Sequence, residues 1–287
     1  MLVEPVVAEV LTKNSGRFND KQGWKAELKL GFIRRGKKTV LAHRSHYGPL
    51  TVQRPFYPEG ELCHVYLLHP PGGIVAGDQL SLDVQLDKGA EALITTPGAA
   101  KFYRSTGEQA VQNVSLNINE DAVLEWLPQE SIVFEGARLI SNVRVDLIKN
   151  ARFIGWEILA LGRPAAGESF KLGDALLNWR IFRDGMPVFL EKMYLDSEAF
   201  LARWGLNGCT SCGTFFAVGA SESTLETVRT LIADSPGKGV TLIDDLLICR
   251  ATADKTEPVR RFFEKVRAEI RNDIVQKESY TPRIWAT

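Results

Sequence analysis

His64-Val65-Tyr66-Leu67-Leu68-His69-Pro70-Pro71-Gly72-Gly73-Ile74-Val75-Ala76-Gly77-Asp78 is followed by Leu80-Ser81-Leu82-Asp83-Val84-Gln85-Leu86 and then by Thr95-Thr96-Pro97-Gly98-Ala99-Ala100-Lys101-Phe102-Tyr103-Arg104. Two stiff turns flank one alternating strand. Pro70-Pro71 fixes the backbone and removes two amide donors, while Gly72, Gly73 and Gly77 tolerate positive φ, so the first turn has a defined shape. Outward from it, the period-two pattern recurs. Trp24, Ala26, Leu28, Leu30 and Phe32 share one face opposite Lys25, Glu27 and Lys29, and Val114-Leu116-Ile118 and Val143-Val145-Leu147 repeat the arrangement. These are half-buried strands. Asp184-Gly185 between two apolar runs predicts a tight hairpin.

Up to about residue 205 the chain reads as β. After Gly205 to Gly213 the pattern changes to a strand at 215–219, a helix at 221–233 capped within Ser223-Thr224-Leu225-Glu226, strands at 240–243 and 246–250, and a long helix at 257–277. In that last helix Val259, Phe262, Phe263, Val266 and Ile270 form the apolar face, with Arg260, Arg261, Lys265 and Arg267 mostly elsewhere, the pattern of a helix docked on a core. The reading is a mainly β body over 1–208 with a smaller α+β portion over 209–287. No sequence repeat is evident, and the strands fit a sandwich, a barrel or a β-helix.

Composition excludes several classes. The 287 residues are 45% hydrophobic, with Lys plus Arg and Asp plus Glu at 35 each, so no net field draws nucleic acid or an acidic membrane. The first twenty residues lack a cationic start followed by an apolar run, and no stretch reaches the ~18 apolar residues of a spanning helix. A cytoplasmic protein is expected, its four cysteines reduced.

Gly72 to Gly77 has the spacing of a phosphate loop, but Asp78-Gln79 stands where Lys-Ser or Lys-Thr belongs, so nucleotide chemistry falls to a partner. All four histidines, His43, His46, His64 and His69, lie in one stretch, and Cys63 adjoins His64. Imidazole and thiolate suit nickel or zinc, although no H-E-x-x-H occurs and ordinary strand and loop histidines are the simpler reading. A metal-dependent hydrolase built on the His43 to His69 cluster with Asp78 is the enzymatic alternative. Cys209-Thr210-Ser211-Cys212 is a lone CxxC, half of a zinc site. Glu125 in Val-Leu-Glu-Trp-Leu, Glu157 in Gly-Trp-Glu-Ile-Leu and Glu168 in Gly-Glu-Ser-Phe sit in apolar company. Each either points outward or pairs with Arg104, Arg138 or Arg163, or lines a wet interior path for a divalent cation.

Four ordered segments carry a resemblance. They are Leu68-His69-Pro70-Pro71-Gly72-Gly73-Ile74-Val75-Ala76-Gly77-Asp78, Thr95 to Ser105, Leu124-Glu125-Trp126-Leu127-Pro128-Gln129-Glu130-Ser131-Ile132-Val133-Phe134-Glu135-Gly136-Ala137, and Gly162-Arg163-Pro164-Ala165-Ala166-Gly167-Glu168-Ser169-Phe170. Together they resemble the urease accessory protein UreD family across about residues 24 to 200. The resemblance implies a two-layer β-helical body and no enzymatic activity. It implies direct binding to UreF, contact with the GTPase UreG through UreF, docking on urease apoprotein, and passage of nickel through an internal tunnel to a site where a lysine is carbamylated. Nickel would be carried transiently, with no permanent cofactor and with GTP bound by UreG. Asp78, Glu130, Glu135 and Glu168 are then the candidate polar groups along the path, and His64, His69 and Cys63 weaker candidates for nickel contact. A scaffold that bridges UreF and urease without carrying the ion is the third alternative.

Overall fold

The computed structural model describes residues 23–286 apart from residue 234. The chain begins with β1 (Lys25–Arg35), β2 (Lys38–Tyr47), β3 (Thr51–Val52), β4 (Cys63–Leu68) and β5 (Gln79–Leu86). It continues through β6 (Glu91–Thr95), β7 (Ala100–Phe102), β8 (Ala110–Ile118), β9 (Val123–Leu127) and β10 (Ser131–Val133). Four long strands follow: β11 (Arg138–Leu147), β12 (Arg152–Leu161), β13 (Asp174–Arg183) and β14 (Met186–Leu195). The remainder is α1 (Ser197–Leu201), β15 (Ser211–Val218), α2 (Glu222–Ile232), β16 (Lys238–Ile243), β17 (Leu246–Ala253) and α3 (Thr256–Val275).

From β4 to β13 the chain winds between two sheets, with the short β7 and β10 staying on the side of the second after β6 and β9, and neighbouring strands of this stretch run parallel. One sheet has the order β14-β13-β11-β8-β5-β1-β2, and the other β16-β17-β15-β12-β9-β6-β4-β3. The parallel ladders β5·β8·β11·β13 and β4·β6·β9·β12 are in continuous register, so each coil stacks on the last as a two-layer β-solenoid. Only β2, β14, β15, β16 and β17 in these long ladders pair antiparallel, with the short β3 likewise antiparallel on β4.

The two sheets leave different signatures in the sequence because they are covered differently. The seven-stranded sheet buries one face, so β5 and β11 alternate strictly between inward apolar and outward polar residues. On its outer face Asn178 donates to Asn142 and Asn142 to Asn113, each at 2.8 Å, a side-chain ladder along the stack. The second sheet is covered on both faces. Its inner side meets the first sheet through Leu124, Trp126, Phe153 and Leu159, and its outer side carries α2 and α3 on Val123, Trp156, Phe215 and Leu247, with Phe263 of α3 packed among them. Hence β9 is buried at all five positions, with Glu125 at its centre.

Asp184 and Gly185 take φ of 49° and 78°, the left-handed pair that a two-residue hairpin needs between β13 and β14. The expected cap of α2 moves two residues. Ser221, not Ser223, is the N-cap, and Thr224 closes the capping box. Arg267 also departs from its expected place on the polar side of α3, being 2% exposed, and Arg271 is fully buried. Both reach Glu125: Arg267 Nε donates to Oε2 at 2.6 Å and Arg271 Nη2 to Oε1 at 2.8 Å. Arg271 also binds Glu59, whose Oε1 lies 2.8 Å from His64 Nε2. Glu125 thus pairs with arginines of α3 and with none of the three expected from the sequence.

Candidate functional site

The corners of the solenoid after β4, β6 and β9 of the second sheet are proline turns. Pro70-Pro71 follows β4, Pro97 follows β6 and Pro128 follows β9. Proline cannot donate to a ladder, and the pairing breaks accordingly. The β6·β9 ladder ends at Thr95↔Leu127 and resumes as β7·β10 at Ala100↔Ser131. The interruption is bridged by a 2.9 Å bond from the Gln129 amide to Thr96 Oγ1 and a 3.0 Å bond from the Ala100 amide to the Glu130 carbonyl. Only β12 runs through the corner unbroken, pairing with β9 at its start and with β10 at its end. The result is a seam in the wall.

Behind the seam lies a cavity of about 360 Å³ between the two sheets. Its outer rim includes His69, Gly72, Pro97, Gly98 and Gln129; its walls are mainly apolar, and Glu157 and Trp179 stand at the inner end. Gly73 is required at the rim because a Cβ there would come within 1.9 Å of the Tyr103 ring. The rim is braced from outside. Trp156 Nε1 donates to the Pro128 carbonyl at 2.7 Å, Arg260 Nη1 to Gln129 Oε1 at 3.0 Å, and Trp285 packs on Trp156 with ring centroids 5.5 Å apart.

Glu157 accepts from Ser141 Oγ at 2.8 Å and from Trp179 Nε1 at 2.7 Å. Burial pushes its carboxyl above the usual range, against the two hydrogen bonds, and the Glu191 charge adds to the rise. A group whose folded-state value is raised favours the folded state below its ordinary pKa of ~4.3 and costs stability as pH rises. Glu157→Gln is therefore expected to raise the melting temperature at pH 7.5 by about 2–4 °C, the shift that ~1 kcal/mol produces in a domain of this size, and to change nothing at pH 4. Thermal melts at the two pH values check this.

The candidate residues from the sequence are spread over several environments. His69 is on the cavity rim, and burial holds its pKa below the ordinary value while Asp78 opposes the shift. Asp78 is 5% exposed and accepts from the amides of Trp24 at 2.7 Å and Val75 at 2.9 Å, fixing the turn after Pro70-Pro71. Glu130 lies in the seam with Oε2 buried and without a hydrogen-bond partner among the described residues. Glu168 bonds Arg163 at 2.6 Å and the Glu135 amide at 2.8 Å, tying two loops together, and the Arg163 hydrogen bonds hold its carboxyl below the usual range. His64 is fully buried on Glu59, and Cys63 is fully buried 3.8 Å from the Tyr57 hydroxyl.

His43 and His46 fall on opposite faces of the exposed end of β2, opposite Gly31 and Leu28 respectively. The four histidines therefore do not converge. Among the described residues no three His, Cys, Asp or Glu side chains are placed to hold a metal ion. Cys212 is buried on β15, and burial pushes its thiol up to about 12, while Cys209 is half-buried. Glu157 drew notice in the sequence as one of three carboxylates that could line an interior path, but not among the residues singled out through the resemblance. Glu191 and Arg250 drew none, although the β14 alternation Phe189-Glu191-Met193 places Glu191 on the inner face.

No helix among the described residues is long and apolar enough to cross a membrane. The profile of the family described as UreD urease accessory protein matches residues 25–286. A urease accessory protein UreD of Pseudoalteromonas translucida is 40% identical over 295 aligned positions, covering 99% of this chain and 98% of that protein. The UreD proteins of Alcanivorax borkumensis and Citrobacter koseri are each 42% identical, the first over 95% of this chain and 97% of its own length, the second over 93% of both. With a full-length profile match and relatives aligned almost end to end, the chain belongs to the UreD urease accessory protein family.

Proposed function

We propose that this chain is a non-catalytic maturation factor that joins UreF, and through it UreG, to urease apoprotein in the cytoplasm, and passes nickel through the cavity between its sheets. The observation that supports the reading is the seam: a wall interrupted at three proline turns gives on to a cavity between the sheets with a carboxyl at its inner end. Carboxylates along a narrow path attract a cation without the rigid ligand set that would trap it. His69 and Glu130 stand at the seam, and Glu157 inside, in positions an entering ion would meet in turn. Asp78 would shape the rim, and Glu135 and Glu168 the next loop along the stack. His64 and Cys63 are fully buried at the start of β4 and would touch the ion only in passing. GTP chemistry stays with UreG, consistent with the absent phosphate-loop lysine at 78–79.

The test is urease activation from purified parts: nickel-free urease, UreF, UreG, GTP, bicarbonate and nickel, with and without this chain. Bound nickel and urea hydrolysis are both expected to require it. If competent partners load nickel equally well without it, the reading fails.

A further inference from the structure

Beyond Glu157 the two sheets end differently. The seven-stranded sheet stops at β14, while the second continues past β12 through β15, β17 and β16. One side chain of β12 and two of that continuation face inward in one row, because Glu157 is opposite Thr214 and Thr214 is opposite Arg250 in register. From the other sheet, Trp179 and Glu191 are register partners that face the same space. Arg250 crosses the gap. Both of its terminal nitrogens bind the Glu191 carboxylate, and Nη1 lies 3.4 Å from Thr214 Oγ1. The Arg250 side chain is 46% exposed and that of Glu191 20%, and the pair lies one strand beyond Trp179 on one sheet and two strands beyond Glu157 on the other, the two residues that meet at 2.7 Å at the inner end of the cavity.

We infer that Arg250 is a gate residue beyond the inner end of the cavity: closed on Glu191 it occupies the carboxylate that a divalent cation needs in order to move on from Glu157, and a cation passes only by taking its place there. The inference rests on the conduit reading and assigns it an exit. A guanidinium repels an approaching cation, and a half-exposed ion pair on a long side chain is held weakly enough to exchange. Charge is conserved in the step, because the ion takes the carboxylate that the guanidinium releases and Arg250 swings to water. Arg250 thus acts on the path through Glu191, which it positions and neutralises.

The experiment is equilibrium dialysis of the full chain against nickel ion alone, at sub-saturating metal. Arg250→Gln should retain roughly tenfold more nickel than the unaltered protein. Arg250→Lys should behave as the unaltered protein, and adding Glu191→Gln to Arg250→Gln should abolish the gain. Equal binding by Arg250→Gln and the unaltered chain, with matching melting curves, overturns the gate, as does a gain that survives Glu191→Gln. A plug at Ser131 separates the two ideas in the activation assay. If Ser131→Trp leaves nickel delivery intact, the conduit itself is wrong. If it blocks delivery while Arg250→Gln gains no nickel, only the gate is wrong.

Discussion

Glu125→Gln is expected to lower the melting temperature by on the order of 10 °C and to leave much of the chain insoluble. Glu125 is wholly buried at the centre of β9 and faces Arg267 and Arg271, themselves 2% and 0% exposed. An amide accepts a hydrogen bond but carries no charge, so Arg271 would keep only Glu59 and Arg267 no carboxylate partner among the described residues. Breaking a buried pair by removing one partner costs ~3–5 kcal/mol, a large part of a typical stability of ~5–15 kcal/mol. The two arginines also hold the carbonyls of Glu278 and Tyr280, so the C-terminal segment that carries Trp285 loosens with them. Replacing all three by apolar residues of similar size should recover most of the loss, since a well-packed apolar core substitutes for a buried ion pair. Circular dichroism melts of the single and triple variants check both statements.

The same cluster sets an acid limit. Burial raises the carboxyls of Glu59 and Glu125, but hydrogen bonds from His64 and Arg271 bring Glu59 down to about 2, and Arg267 and Arg271 bring Glu125 below the ordinary range. Groups with lowered values add stability above their ordinary pKa of ~4.3, and the contribution drains away as pH falls toward 2. In Glu125→Gln that acid limb should be shallower, because one of the two carboxyls no longer titrates.

Ser131→Trp should stop nickel reaching urease while the chain still assembles with its partners. Ser131 and Val133 share a face of β10, and Val133 is fully buried, so Ser131 also points inward, on to the cavity. Its hydroxyl forms no side-chain hydrogen bond among the described residues, and truncation to alanine should be silent. An indole at this position would fill much of a cavity of about 360 Å³ instead of displacing packed neighbours, which keeps the overpacking cost below the usual ~1–3 kcal/mol. Bound nickel and urea hydrolysis in the reconstituted assay should both fall at least tenfold, as expected if the ion has no other route; normal activation with Ser131→Trp would exclude passage through the seam.

Alternation in the sequence marks β1, β5, β8 and β11 because one side of each meets water. The apolar run Val123-Leu124-Glu125-Trp126-Leu127 carries the complementary message, burial on both faces, and its lone carboxylate requires a charged partner. The sequence names that need without naming the partner. Arg267 and Arg271 lie more than 140 positions away, and only the docking of α3 on β9 brings them to Glu125. Glu157 looks equivalent to Glu125 in its local sequence, yet it points to the other face of the sheet. One residue of register decides whether a carboxylate meets two arginines or an open cavity.

By itself the sequence determined the alternating strands, the hairpin at Asp184-Gly185, the apolar face of α3 and the stiff proline turns, because each follows from the dihedral and burial preferences of neighbouring residues. The tertiary structure decided that the strands stack in parallel coils, that the three proline turns align into one seam, and that Glu191 and Arg250 meet across the end of the two sheets. These features join residues far apart in the chain, and a strand's own pattern is the same whichever neighbour completes its ladder.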